Sequence, residues 1–220
     1  MRHVATESDY RNRRIAMVQS QVSARGVRDA RVLEALSSVP REQFVPQSLA
    51  EVAYEDRALG IGMGQTISQP YVVAWMTEAL SIRTEHSILE IGTGTGYQTA
   101  ILAKLARVVY TVERIEALAT EARERLNRLG ISNVAFKTGD GSLGWESHAP
   151  FDRIIVTAAA PAIASQLVDQ LSVGGRLVIP TGSHTHQVLT TLENHRDGVV
   201  ETSGIPVRFV KLIGAKGFPS

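Results

Sequence analysis

From residue 87 to residue 179, short β-branched runs alternate with helical segments, and this alternation restricts the fold more than any other feature of the chain. Residues 87–91, 108–112, 134–136, 153–157 and 176–179 read as strands; 97–106, 115–129 and about 162–171 read as helices between them. A strand, a crossover helix and a second strand close with a right-handed connection into a parallel pair. The expected fold class is therefore α/β, a doubly wound, mostly parallel sheet covered on both faces. Beyond residue 179 the helical segments stop, and residues 187–193, 199–202 and 207–212 read as successive strands, an antiparallel edge on the same sheet.

The N-terminal third has another texture. Ile15, Val18 and Val22, then Val32, Leu33 and Leu36, recur at helical spacing with a break at Gly26, which predicts two helices over residues 10–37. Residues 58–69 carry Gly60, Gly62 and Gly64 and no charged side chain, and are expected to form a long irregular loop. Pro70 suits the first turn of a helix ending near Leu80, because its missing N–H is an unsatisfied position there anyway. The expected organisation is residues 1–69 as a helical cap with a glycine-rich loop and 70–220 as the α/β domain, built as one compact unit.

Composition excludes several functions. At 220 residues and 44% hydrophobic content the chain suits one domain with a real core. The formal charge of +1 supplies no field to recruit nucleic acid or an anionic membrane. The absence of cysteine removes disulfides, thiolate nucleophiles and cysteine-held zinc or iron–sulfur clusters. No apolar signal segment is read in residues 1–10, and the run 154–168 is short and broken by Pro161, so a cytoplasmic protein without a membrane span is expected. Among the histidines only His184 and His186 lie close together, without an adjacent carboxylate, so no metal site is expected. Arg11, Arg13 and Arg14 read as a solvated helix face, Trp75 and Met76 as packing residues, and Trp145 receives no role.

The sharpest local signal is Leu89-Glu90-Ile91-Gly92-Thr93-Gly94-Thr95-Gly96-Tyr97, a glycine turn between a predicted strand and a predicted helix. A dinucleotide fingerprint starting at Gly92 needs its third glycine at position 97, which is Tyr97; here that glycine is Gly96. The spacing E-x-G-x-G-x-G instead resembles motif I of the class I S-adenosylmethionine methyltransferases. Glu113 falls 21 positions after Gly92, at the end of the next strand, where a carboxylate can accept hydrogen bonds from ribose hydroxyls. Asp140 follows the third strand, placed as in methyltransferases that address the adenine amino group, with Gly141 beside it permitting close approach. Competing readings are a nucleoside-cofactor oxidoreductase, a non-catalytic relative of the fold, and a methyltransferase for RNA or a small molecule.

The sequence Gly64-Gln65-Thr66-Ile67-Ser68-Gln69-Pro70-Tyr71, together with motif I, closely resembles the protein-L-isoaspartate O-methyltransferase family. Residues 39–45, 138–141, 150–159 and 174–177 are also similar to blocks of that family, so the resemblance runs from about residue 13 to about residue 212. It implies that S-adenosylmethionine is the methyl donor and S-adenosylhomocysteine the product. It further implies that Ser68 is the catalytic serine, that Gln65, Thr66 and Ile67 lie over cofactor and substrate, and that Glu90, Gly92, Thr93, Gly94, Gly96, Glu113, Asp140 and Gly141 contact the cofactor. The implied substrates are damaged proteins and peptides, methylated by a monomer that binds neither nucleic acid nor membrane. One departure is local: the family's R-F-V-P-L reads Arg208-Phe209-Val210-Lys211-Leu212, with lysine in place of proline beside the substrate channel. A plainer reading of Ser68 is as a cap for the helix that begins at Pro70.

Overall fold

A computed structural model describes residues 5–183 and 185–219. Two α-helices of the cap come first, α1 (Glu7–Met17) and α2 (Ala30–Ser38); after a hairpin of β1 (Leu59–Gly62) and β2 (Gln65–Ile67), α3 (Pro70–Ala79) leads into the sheet. The main sheet then forms from β3 (Ser87–Ile91), β4 (Val108–Glu113), β5 (Val134–Thr138), β6 (Phe151–Val156), β7 (Leu171–Gly182), β8 (Gln187–His195) and β9 (Gly198–Val207). Its connecting helices are α4 (Tyr97–Leu105), α5 (Glu116–Arg128) and α6 (Ser165–Asp169).

The sheet order is β5-β4-β3-β6-β7-β8-β9, parallel from β5 to β7 and antiparallel from β7 to β9. The chain winds outward from β3 through β4 to β5, then returns to β6 on the other side of β3. Ligands of such sheets bind beyond the carboxyl ends of the strands at this reversal. Strand side chains alternate between two cores. Ile88, Ile155 and Val178 join one with the cap, α3 and α4; Leu89, Ile91, Ile154 and Val156 join the other, with Leu167 of α6. The core on the cap side is continuous from Met17 and Phe44 to Ile101 and Val109.

The structure corrects several expectations. Residues 58–69 are not an irregular loop: they pair as an antiparallel hairpin, Leu59 with Ile67 and Gly60 with Thr66, turned by Met63 and Gly64, both with positive φ. The helix expected over 162–171 shrinks to Ser165–Asp169, because Leu171 pairs with Phe151 and already belongs to β7. Residues 207–212 do not form a strand; β9 ends at Val207, and the following segment is held by one bridge, between Ala159 and Lys211, and by hydrogen bonds between the Phe209 backbone and the Gln187 side chain of β8. Arg14 is no solvated residue. It is 5% exposed, its Nε donates to Tyr54 Oη at 3.0 Å, and Glu42 lies 3.6 Å away. A lone buried guanidinium is unfavourable, so its partners had to be buried with it. His184 lies outside the described residues.

Candidate active site

The hairpin and the carboxyl ends of β3, β4 and β6 enclose a cavity of about 380 Å³. Gln65, Thr66, Ile67 and Ser68 form one wall; Gly92, Thr93, Gly94, Glu113 and Gly141 form the other. Val210, Lys211, Leu212 and Ile213, from the segment after β9, complete the rim. The structure thus gathers the loop and the glycine turn, 24 positions apart from Ser68 to Gly92, into one site. Glu90, Gly96 and Asp140 stand outside its lining.

The glycines of the turn serve different needs. Gly92 has φ +96°, and a Cβ on it would sit 2.3 Å from Thr157 Oγ1. That hydroxyl donates toward the carbonyls of Ile91 at 3.0 Å and Gly92 at 2.7 Å, tying the turn to the end of β6. Gly96, with φ +87°, packs against Ala122 and Leu126 of α5. Gly94 differs: its φ is +53° and no atom lies within 4 Å of where a Cβ would be. It is the glycine that leaves room for a ligand to meet the backbone. Gly141 lines the cavity and is also required by packing, since a Cβ there would lie 2.4 Å from Ile91 Cγ2.

Glu113 ends β4 and is 7% exposed. Its Oε2 accepts the N–H of Gly94 and its Oε1 accepts the N–H of Ile115, both at 2.9 Å. Each oxygen therefore keeps acceptor capacity while the carboxylate is fixed against the cavity. This orientation suits paired hydroxyls, and with the open face at Gly94 it fits the nucleoside end of S-adenosylmethionine.

Glu90 is wholly buried behind the turn. Thr99 and Thr111 both donate to its Oε2 at 2.6 Å, and Thr111 also meets Thr93 at 2.6 Å. Its other oxygen has no hydrogen-bond partner among the described residues. Glu90 therefore reaches the site only through Thr111 and Thr93. Burial pushes its pKa up to about 8, against the lowering effect of the two threonine hydroxyls. The folded protein keeps a proton that the unfolded chain releases near pH 4.5, so this group's contribution to stability falls as pH rises from about 4.5 toward about 8. Glu90→Gln, which keeps the shape without the charge, should flatten that fall. Urea unfolding of both proteins at pH 5, 6.5 and 8 checks this, and parallel curves would rule it out.

Asp140 is held by the end of the chain. Its Oδ1 accepts from Ser142 N and Oγ at 2.9 and 2.7 Å, and its Oδ2 accepts from Ala215 N at 2.7 Å. Burial acts to raise its pKa, but these hydrogen bonds and nearby Lys137 outweigh it, so the carboxyl lies below its ordinary value. Trp145 packs with Tyr110 and His148, away from the cavity. Ser68 does not cap α3: the N-cap is Gln69, which makes no side-chain capping bond and reaches Asp56 instead. Sequence reasoning gave no role to Thr157 or to Tyr97, which is buried and lines the cavity. Thr157 falls in the family-like block 150–159, and Tyr97 stands where a dinucleotide motif needs glycine. Among the described residues no group of three or more His, Asp or Glu side chains could hold a metal, and no helix is long and apolar enough to cross a membrane.

A glycine turn after the central strand, an acid closing the next strand, and this sheet order define a class I S-adenosylmethionine-dependent methyltransferase. A Plasmodium falciparum structure described as a β-aspartate methyltransferase in complex with S-adenosyl-L-homocysteine superposes with a TM-score of 0.79 at 25% identity, over 91% of this chain and 98% of that one. A solved protein-L-isoaspartate O-methyltransferase superposes with a TM-score of 0.82 at 28% identity, over 94% of this chain and 67% of that one. The sequence profile of the protein-L-isoaspartate(D-aspartate) O-methyltransferase family matches residues 12–217. The protein-L-isoaspartate O-methyltransferases of Geobacter metallireducens and Desulfosudis oleivorans are 53% and 51% identical, over 92% and 96% of this chain and 94% and 96% of theirs. The chain belongs to the protein-L-isoaspartate(D-aspartate) O-methyltransferase family.

Proposed function

We propose that this methyltransferase esterifies the free α-carboxylate of L-isoaspartyl residues in damaged proteins and peptides, with Ser68 aligning that carboxylate. The observation that carries the reading is that Ser68 and Thr66 face the same cavity as Gly94 and Glu113. An isoaspartyl residue runs the backbone through its side-chain carbonyl and leaves a carboxylate displaced from its usual place. Such a group, with pKa about 4, is already ionised at pH 7 and needs no strong base. The hydroxyls of Ser68 and Thr66 and the amide of Gln65 suffice to orient it by hydrogen bonding.

S-adenosylmethionine, when bound, supplies an electrophilic methyl group on a positively charged sulfur. Glu113 and Gly94 would hold its nucleoside end, with Thr93, Thr111 and Glu90 bracing the turn from behind. The protein's remaining task is alignment and exclusion of water, because attack of a carboxylate on a cation discharges both and is favoured in a dry site. Ile67, Val73 and Met76 give the cavity its apolar surface. The reading includes a cytoplasmic monomer that binds no nucleic acid; the charge of +1, which supplies no field to recruit a polyanion, supports the last of these.

Ser68→Ala should lower turnover on an isoaspartyl peptide about 10- to 100-fold, the loss of one or two hydrogen bonds to a charged group. S-adenosylhomocysteine affinity should stay within threefold by calorimetry. Unchanged turnover in the variant contradicts the assignment.

A further inference from the structure

Arg41 is the largest side chain wholly removed from solvent. Its Nε donates to the carbonyl of Ala53 at 2.7 Å and its Nη2 to the carbonyl of Ser68 at 2.8 Å. Its guanidinium carbon lies 4.8 Å from the ring centre of Tyr97, which lines the cavity. Nη1 and the Tyr97 hydroxyl are both buried with no well-formed hydrogen bond.

A buried guanidinium normally stands against a carboxylate, because an isolated interior charge is strongly unfavourable. Among the described residues no carboxylate pairs with Arg41, whose side-chain neighbour is the Tyr97 phenol. The adjacent Glu42 is turned instead to Tyr54 and Arg14. The chain therefore keeps a cation without its own counterion directly behind the residue that faces an anionic substrate. A guanidinium does not release its proton in a protein, so the charge persists.

We propose that Arg41 is a positioning residue of the reaction: its fork fixes the Ser68 end of the hairpin, and its uncompensated charge favours a carboxylate over a neutral group at the cavity. This rests on the reading of Ser68 given above. The arrangement explains why a short loop rich in glycine holds one geometry. Two carbonyls 15 positions apart in sequence, those of Ala53 and Ser68, are bound by one rigid planar group.

The test uses the full-length protein with Arg41→Met and Arg41→Lys. Each is assayed for thermal midpoint, S-adenosylhomocysteine affinity, kcat and KM on an isoaspartyl peptide, and inhibition by the corresponding α-carboxamide peptide relative to a non-methylated α-carboxylate competitor. Arg41→Met leaves the carbonyls of Ala53 and Ser68 without their donors and should lower the thermal midpoint by several degrees while remaining folded at the assay temperature. Its cofactor affinity should be unchanged, its KM raised at least tenfold with a smaller fall in kcat, and its preference for carboxylate over carboxamide reduced about tenfold. Arg41→Lys should keep that preference within threefold, because it retains the charge, while its KM rises because the fork is lost. If Arg41→Met does not fold, Arg41→Lys decides: loss of the preference with the charge retained overturns the proposal. Unchanged KM and preference in folded Arg41→Met overturn it as well. Failure of the underlying reading looks different: the parent enzyme itself would not distinguish carboxylate from carboxamide.

Discussion

Glu113→Gln should weaken S-adenosylhomocysteine binding about 10- to 100-fold while the fold survives. The side chain receives Gly94 N–H on one oxygen and Ile115 N–H on the other, both at 2.9 Å. A glutamine can satisfy only one of them; in either orientation its NH₂ group faces a backbone N–H. The variant thus loses charge toward the ligand and sets donor against donor inside the turn. Hydrogen bonds to a charged group contribute about 1.5–3 kcal/mol each, which sets the expected range. Calorimetric titration measures the loss and a thermal melt controls for folding. An affinity within twofold of the parent would mean that Glu113 does not face the ligand.

Gly92→Ala should act on the fold itself. The position has φ +96°, where an L side chain is strained by about 1–3 kcal/mol. The new Cβ would also lie 2.3 Å from Thr157 Oγ1 and would displace the hydroxyl that ties Ile91 and Gly92 to β6. Together these predict a loss of about 3 kcal/mol or more, roughly 6–12 °C in midpoint for a chain of this size. Gly94→Ala is the contrasting variant. Its Cβ meets open space, and the φ of +53° costs an alanine only about 1–2 kcal/mol, so the protein should melt within several degrees of the parent and yet bind S-adenosylhomocysteine at least tenfold more weakly. Scanning calorimetry with and without ligand separates the two. Equal loss of stability in both variants would mean that the glycines share one structural role.

The parallel part of the sheet was legible in the sequence because a strand buried on both faces is an apolar run and its helices carry their own period. The glycine turn was legible because positive φ at Gly92, Gly94 and Gly96 leaves a spacing in sequence. The hairpin over residues 59–67 was hidden for a related reason: its two strands of four and three residues are too short to show a period, and their glycines read as loop. The segment after Val207 misled in the opposite direction. Val207, Phe209 and Val210 have strand-forming side chains, but Phe209 N–H bonds to the Gln187 side chain and the stretch makes only one bridge, at Lys211.

Side-chain roles were less legible than positions. Glu90 and Asp140 were identified from motif spacing, which reports the place on the strand but not which way the carboxylate turns. Glu90 turns to Thr99 and Thr111; Asp140 is held by Ala215, 75 positions later. Arg14 and Arg41 were hidden more deeply, since burial of a charged residue depends on partners remote in sequence. Arg14 meets Tyr54, and Arg41 meets the carbonyls of Ala53 and Ser68.

The central claim is that one cavity brings the methyl donor's site against a loop selective for a displaced carboxylate. Transfer of tritiated methyl from S-adenosylmethionine to an isoaspartyl peptide and to the same peptide with normal aspartate tests it most directly. Methylation of the isoaspartyl peptide alone is the predicted result. Equal methylation of both peptides, or of neither, would contradict it.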